Sequence, residues 1–155
     1  MRKLKIYLET SIFNFAFSEK TPKEKDLTLK LFNQLDRYET YISDITLAEI
    51  ERCPEPKRKQ MLDLISKYDL QELALNESAK ELAAKYIQEK IIPPKYQFDA
   101  FHIAIASVNN LDVVISWNFE HMVKLKTKRE VVGINVFMGY KEIDIYSPLE
   151  VVEHV

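Results

Sequence analysis

The stretch Asp99–Met122, DAFHIAIASVNNLDVVISWNFEHM, decides how the rest of the chain is read. Phe101, Ala104, Ile105 and Val108 recur at helical spacing and give its first half one apolar face. Asn109 and Asn110 then mark a turn, and LDVVIS reads as a buried strand. Asp99 stands at the start of this unit and Trp117 and Asn118 at its far end. Polar groups at both ends of so apolar a unit suit two purposes, helix capping or a metal site.

Working outward, KLKIYLE (Lys3–Glu9) is a short apolar run with strand-favouring Ile6 and Tyr7, and predicts a first strand ending at Glu9. TPKEKDLTLKLFNQLDRY carries Thr21 as a cap, Pro22 at the first helical position, Glu24 three after the cap, and Leu27, Leu31 and Leu35 at helical spacing. It predicts a helix. ETYISD predicts a second buried strand ending at Asp44, and ITLAEIERC a helix that CPEP ends because proline cannot continue it. Another helix runs from about Lys57 to Tyr68, LQELAL suits a strand or a connector, and NESAKELAAKYIQEKII predicts a helix stopped by Pro93 and Pro94. The tail VVGINVFMGYKEIDIYSPLEVVEH predicts one or two short strands and a last helical turn, with Ser147, Pro148 and Glu150 as its capping box. Strands separated by such helices imply an α/β fold, a mostly parallel sheet covered by helices on both faces.

A chain of 155 residues with 46% hydrophobic content suits one domain, residues 1–155, with a sizeable core. Lys and Arg number 22 against 24 Asp and Glu, a formal net charge of −2, so any nucleic-acid surface has to be local. Only Gly133 and Gly139 occur, which excludes a P-loop and a dinucleotide-binding glycine fingerprint. The three histidines and the single Cys53 lack the spacing of a zinc site. Cys53 has no internal disulfide partner, MRKLKIYLETSIF has too short an apolar run for a signal peptide, and no run approaches a membrane span. The expectation is a cytoplasmic protein without membrane contact.

In open parallel sheets, sites gather outside the carboxyl ends of the strands. Glu9 ends the first strand, Asp44 the second with Glu49 one turn into the following helix, Asp99 opens the helix leading to the strand that ends at Ser116, and Asn118 lies just past it. All fall on one rim if the sheet is parallel. Oxygen ligands from two to four such side chains are what a hard cation such as Mg²⁺ or Mn²⁺ takes, leaving room for water and substrate phosphate. The matching chemistry is phosphodiester hydrolysis, in which the metal polarises the phosphoryl group and lowers the pKa of the attacking water.

Each of these residues also suits a structural role. Asp99 is a good N-cap, Glu49 sits three after Thr46 in a capping-box pattern, Glu9 suits a solvated strand terminus, and Asn118 a turn. Convergence on one rim is what favours the site, because independent caps have no reason to share a cleft. Thr10, Ser11, Asp44 and Ser116 stand at the same strand ends as candidate substrate contacts. His102, one turn after Asp99, suits a phosphate or ligand-orienting role as well as a half-buried helix position, and His121 carries the same ambiguity. VKLKTKR (Val123–Arg129) follows on Asn118 and offers Lys124 and Lys126 to a polyanion backbone, while KRK at Lys57–Lys59 is a second basic run.

Together IYLETSIFN, ISDITLAEIE and DAFHIAIASVNNLDVVISWNFEHM resemble the three motif regions of PIN domains, in the branch that contains toxins of the VapC type. The resemblance spans nearly the whole chain, and the order and spacing of the segments make it specific. It implies a three-layer α/β/α sandwich with a central, mostly parallel sheet, frequent homodimers, and Mg²⁺- or Mn²⁺-dependent endoribonuclease activity on structured or messenger RNA. In toxins of this kind a small antitoxin, encoded beside the toxin, inserts a segment near the active site. Glu9 stands where the family usually has Asp, Glu49 and Asp99 match the second and third acids, and Asn118 stands where many members have a further Asp. The resemblance thus implies Glu9, Glu49, Asp99 and Asn118 as the metal-holding and catalytic set. Glu9 reaches one methylene further than Asp, and Asn118 offers an oxygen without a charge, which weakens cation binding.

Three functions are compatible with this pattern. The first is a metal-dependent endoribonuclease, the toxin of a toxin–antitoxin pair. The second is a PIN-like module that binds RNA or protein without cutting, and the third a metal-dependent phosphoesterase with a non-RNA substrate. No general acid for the leaving oxygen is identifiable from the sequence.

Overall fold

The computed structural model describes residues 2–153, so His154 lies outside the described residues. Five strands form one sheet: β1 (Lys5–Leu8), β2 (Glu39–Ser43), β3 (Leu70–Leu73), β4 (Val113–Ile115) and β5 (Asp144–Tyr146). Their spatial order is β3-β2-β1-β4-β5 and every neighbouring pair is parallel. The chain winds outward from β1 through β2 to β3, then crosses back to lay β4 on the other side of β1. That reversal puts the topological switch point between the carboxyl ends of β1 and β4, where such sheets open a crevice.

Alternation along the central strands builds two cores. Ile6 and Leu8 of β1, Ile42 of β2, and Val113 and Ile115 of β4 face one apolar cluster. That cluster includes Ile12 and Phe13 of α1 (Thr10–Phe15), Leu31 and Phe32 of α2 (Pro22–Asn33), Ile50 of α3 (Asp44–Glu51), and Met61 and Leu64 of α4 (Lys57–Ser66). Tyr7, Tyr41 and Val114 point the other way, into a cluster with α5 (Glu77–Gln88), α6 (Gln97–Val108) and α7 (Leu125–Phe137). The fold is therefore a three-layer α/β/α sandwich, and strands buried on both faces explain why they read as continuous apolar runs. Ala79 and Ala83 of α5 share their cluster with Ala100 and Ala104 of α6, small side chains that let the two helices approach closely. Among the described residues no helix is long and apolar enough to cross a membrane.

Several local expectations are corrected. Helix α6 begins at Gln97, two residues before Asp99, so Asp99 occupies its first turn and does not cap it. The helix ends as the two asparagines require: Asn110 adopts φ +58, while the amides of Asn110 and Leu111 donate to the carbonyls of Ser107 and Ala106 at 3.1 and 3.0 Å. This is a Schellman closure, and Asn tolerates its left-handed position. Residues Thr10–Phe15 form a short helix directly after β1, where only a strand end is expected. In the tail, LKTKREVVGINVF is helix α7, despite the strand-favouring Val131, Val132, Ile134 and Val136. Thr127, Val131 and Asn135 are its buried residues, spaced by four, and burial of that stripe outweighs local propensity. LQELAL resolves into β3, and the tail's one strand is β5, followed by α8 (Pro148–Val151) with the Ser147–Glu150 capping box in place.

Candidate active site

Glu9 leaves β1 with its backbone still on the ladder, donating its amide to the Ile115 carbonyl at 3.1 Å. Its side chain caps α1 by accepting from the Ser11 amide at 3.2 Å. Oε1 also accepts from the hydroxyls of Ser11 and Ser116, both at 2.6 Å. Ser11 in turn accepts the Trp117 amide at 2.8 Å, and Ser116 the Asn118 amide at 2.9 Å. These bonds tie the carboxyl end of β1 to that of β4 across the switch point. Glu9 is only 5% exposed, which excludes the solvated-terminus reading.

Glu49 sits on the second turn of α3. The capping box of that helix is made by Ser43 and Thr46, so Glu49 is free of the capping role its spacing suggests. Its Oε1 accepts from the Thr10 hydroxyl at 2.6 Å and from His102 Nε2 at 2.5 Å. His102 is fully buried, and its Nδ1 meets the Tyr7 hydroxyl at 2.6 Å, which also contacts Ser43 Oγ at 2.7 Å. Burial pulls the imidazole toward neutrality, yet its bond to Glu49 and the charges of Glu9, Glu49 and Asp99 hold its pKa above the usual value. Burial works against the Glu49 anion too, but His102, Thr10 and Arg52 overcome it and keep its pKa low. The pair is a charge-assisted hydrogen bond from the buried His102 of α6 to the half-buried Glu49 of α3, backed by Tyr7 of β1.

Asp99 faces the opposite balance. Burial and the nearby negative charge of Glu9 push its carboxyl up to about 6, with Glu49 adding to the rise and His102 and Asn118 opposing it. Asn118 donates Nδ2 to Asp99 Oδ2 at 3.0 Å, while its Oδ1 accepts the His121 amide at 3.0 Å. A backbone N–H needs an acceptor, so the amide oxygen is committed to the turn and the NH₂ is turned toward Asp99. Asn118 therefore combines the turn role with a donor's role, and its Oδ1 keeps a second lone pair.

Ligand atoms of Glu9, Glu49 and His102 lie within 4.8 Å of one another, a possible metal-holding cluster. The donor set fits a hard divalent cation. Among the described residues, Glu49 Oε2 and Asp99 Oδ1 receive no protein hydrogen bond, and Glu9 Oε2 receives only one, so each acid keeps an oxygen with acceptor capacity to spare. Asp99 lies outside that group of three, yet near enough for the charges of Glu9 and Glu49 to raise its pKa, so three carboxylates stand against one histidine and leave negative charge that a cation would neutralise.

The other sequence candidates divide. Thr10, Ser11, Ser116 and His102 adjoin the acids and are spent on holding them. Asp44 does not join the cluster: it is exposed and its carboxylate accepts the Leu75 amide at 3.2 Å, fastening the connection after β3. His121 stacks on Tyr96 with ring centroids 4.0 Å apart. Lys124 precedes α7, and Lys126 is 76% exposed and 3.9 Å from Glu130, so the VKLKTKR run forms the start of an exposed helix. Sequence reasoning passed over Tyr7, because a tyrosine in an apolar strand carries no signal of a polar partner. It also passed over Arg52 and Lys95, single cations outside any basic run.

No protein-family model and no curated protein matches the chain. Solved structures do. VapBC2 from Rickettsia felis bound to a DNA fragment from its promoter matches at 18% identity and a TM-score of 0.55, covering 93% of this chain and 98% of that one. A toxin–antitoxin complex from Klebsiella pneumoniae matches at 17% identity and a TM-score of 0.56, covering 79% of this chain and 93% of the other. The chain shares the fold of these toxin–antitoxin proteins. At such identities the likeness speaks for architecture, and it agrees with the PIN-type sandwich that the three sequence segments imply.

Proposed function

We propose that this protein is a metal-dependent endoribonuclease that hydrolyses RNA phosphodiester bonds, the toxin of a toxin–antitoxin pair acting in the cytoplasm. The observation that supports the reading is the clustering of Glu9 and Glu49 with His102 beside the switch point of a parallel sheet, with Asp99 close enough for their charges to raise its pKa. Glu9, Glu49 and Asp99 would hold Mg²⁺ or Mn²⁺, with His102 beside them. When bound, the ion would polarise the scissile phosphoryl group and lower the pKa of the attacking water. Ser11 and Ser116 fix the Glu9 carboxylate, and Thr10 and His102 fix that of Glu49. Asn118 holds the Asp99 carboxyl by a single donor, leaving Oδ1 open. This preorganisation is what precise placement of a cation and phosphate demands.

Both structural relatives are toxin–antitoxin assemblies, which supports an antitoxin as partner alongside RNA. Pairing of two copies belongs to the same reading and is checked by light scattering of the purified chain. A second reading, RNA binding without turnover, draws on Asn118, whose amide faces Asp99 where a fourth acid would add charge. One experiment separates them: cleavage of labelled mixed RNA with Mn²⁺, with Mg²⁺ and with EDTA, running Asp99→Asn beside wild type. Metal-dependent products lost in the variant support the nuclease. Intact RNA under every metal, with retained RNA affinity, supports the binding module, and turnover of a chromogenic phosphate ester alone supports the phosphoesterase.

A further inference from the structure

At the other end of the sheet from the acids, where β1, β2 and β3 begin, a cleft of about 350 Å³ opens between Leu35, Tyr38, Tyr68 and Leu70. Its volume lies inside the range typical of small-ligand sites. Thr40 stands in its wall. It is the second residue of β2 and alternates with Tyr41, so its side chain points to the same face as Ile42. Thr40 is 4% exposed, and among the described residues its hydroxyl has no hydrogen-bond partner. A buried hydroxyl left unpaired destabilises a fold, and valine would fill the same place in a strand without that penalty. A hydroxyl kept there, in the wall of a cleft, is explained by a ligand that bonds to it.

The walls and the mouth narrow the chemistry. Tyr68 is backed by Phe32, with ring centroids 5.2 Å apart, and Tyr38 is half-buried between this cleft and a second cavity of about 180 Å³. Two half-buried phenols and two leucines make a slot for a planar, apolar group. Around the mouth stand Lys3, Lys67, Asp36 and Asp69, all exposed. Lys3 donates its ammonium to the Asp36 carbonyl at 2.8 Å, and among the described residues none of the four forms an ion pair. Cations and anions that stay unpaired at one opening suit a zwitterion, which offers each its opposite. A nucleotide would meet the two carboxylates as like charges, and a hydrocarbon would leave the Thr40 hydroxyl unsatisfied.

We propose that this cleft binds a free aromatic α-amino acid with a polar tip, of the tyrosine type. The ring enters between Tyr38 and Tyr68 with its hydroxyl bonded to Thr40, the carboxylate meets Lys67, and the ammonium meets Asp36 and Asp69. The site is separate from the acids and does not depend on the nuclease reading. A partner protein inserting a tyrosine side chain would use the slot and the hydroxyl but not the charges, because a peptide-bonded residue carries neither free terminus.

The test is isothermal titration calorimetry on the full chain with L-tyrosine, L-phenylalanine and N-acetyl-L-tyrosinamide. L-Tyrosine is expected to bind, L-phenylalanine about tenfold more weakly for want of the hydroxyl, and N-acetyl-L-tyrosinamide about fivefold more weakly for want of both charges. Thr40→Val should bring L-tyrosine down to the affinity of L-phenylalanine and leave L-phenylalanine unchanged. The same substitution should raise the thermal midpoint of the ligand-free protein, since it removes an unpaired buried hydroxyl. Lys67→Ala, at an exposed position, should weaken L-tyrosine and not N-acetyl-L-tyrosinamide. Asp99→Asn should bind L-tyrosine as the wild type does, which keeps the site apart from the acids. No binding of L-tyrosine up to its solubility limit, or equal binding of L-tyrosine and L-phenylalanine, overturns the proposal. So does a midpoint lowered by Thr40→Val, which would mean that a water already satisfies the hydroxyl. N-acetyl-L-tyrosinamide binding as tightly as L-tyrosine also overturns it and points to a peptide side chain as the occupant.

Discussion

Asp99, in the first turn of α6, and Asp112, in the loop between α6 and β4, stand towards opposite ends of the same helix, and their carboxyls are treated in opposite ways. Asp112 accepts the Lys5 amide at 2.8 Å, Lys141 Nζ at 2.8 Å and an Arg2 guanidinium nitrogen at 3.3 Å. Burial is the largest single influence and raises its pKa, but these three donors together outweigh it and take it down to about 2. Asp99 has one neutral donor, is partly buried near two other acids, and is pushed up to about 6. Asp112 is a clasp that joins β1, β4 and the loop before β5. Asp99 belongs to a place where the fold sets like charges together, which a protein tolerates where a ligand relieves the strain.

The largest expected effect separates the two by activity. Asp99→Asn or Glu49→Gln should cut metal-dependent RNA cleavage by more than the roughly 10–100-fold typical of losing a residue that merely supports a metal ligand. Asp112→Asn should leave the rate per folded molecule unchanged. Cleavage surviving both acid substitutions would break the functional half of the comparison.

Stability should move the other way. The folded pKa of Asp99 lies above its ordinary value of 3.8, so the metal-free native state binds more protons than the unfolded chain between about pH 4 and 6. Its contribution therefore turns unfavourable as pH rises through that window, and Asp99→Asn should raise the thermal midpoint at pH 7.5. Asp112 has a lowered pKa, so its contribution is present above pH 4 and is lost as pH falls toward 2. Asp112→Asn should cost about 1–2 kcal/mol near neutrality, the value for a hydrogen bond to a charged group lowered because the Arg2 and Lys141 partners are exposed. Urea titrations of both variants at pH 7.5 and 5 check the signs, and stabilisation by Asp112→Asn would refute the clasp.

Divalent cation should sharpen the same contrast. Mn²⁺ at a hundredfold excess over its Kd should stabilise wild type by about 2.7 kcal/mol at pH 7.5, and by less at pH 5, where a proton competes for Asp99. Asp112→Asn should keep that gain and Asp99→Asn should lose most of it. A smaller effect is expected at Tyr7→Phe, which removes the hydroxyl meeting His102 Nδ1: manganese affinity should fall about 10-fold, read by calorimetry, with the fold retained. The smallest belongs to Asp44→Ala. This exposed carboxylate holds only the Leu75 amide, so its loss should cost under about 1 kcal/mol and leave cleavage untouched.

Much of this was legible before the structure, because period and punctuation are local. The continuous apolar run of β1, the capping pattern of α8 and the proline stop after α3 read directly. Helix α5 instead ends at Gln88, ahead of Pro93, where Lys90 takes φ +62 and the amides of Lys90 and Ile91 close on the carbonyls of Ile87 and Tyr86. The sequence placed Glu9, Asp44, Glu49, Asp99 and Asn118 on one rim from strand ends and the first turns of helices, and of these Asp44 stands apart, exposed and bonded to the Leu75 amide. Misreadings fell where a tertiary contact outweighed local preference. Helix α7 looks like a strand until the sheet and α5 offer a surface that buries Thr127, Val131 and Asn135 on one stripe. Helix α1 is hidden because a six-residue helix has too few turns to show a period.

The sequence by itself determined the α/β class, the order of the main elements and which acids stand at strand ends, since these depend on residues within a few positions of one another. Only the tertiary structure decided that His102 and Tyr7 are a buried brace for Glu49, that the Asn118 oxygen serves the turn, and that Arg52, Lys95 and Tyr96 share a cleft with Asp99. The longest of those relations join His102 to Tyr7 and to Glu49, 95 and 53 positions apart. Hydrogen bonding and charge act through space, so a pattern along the chain carries no trace of such pairs until folding brings them together.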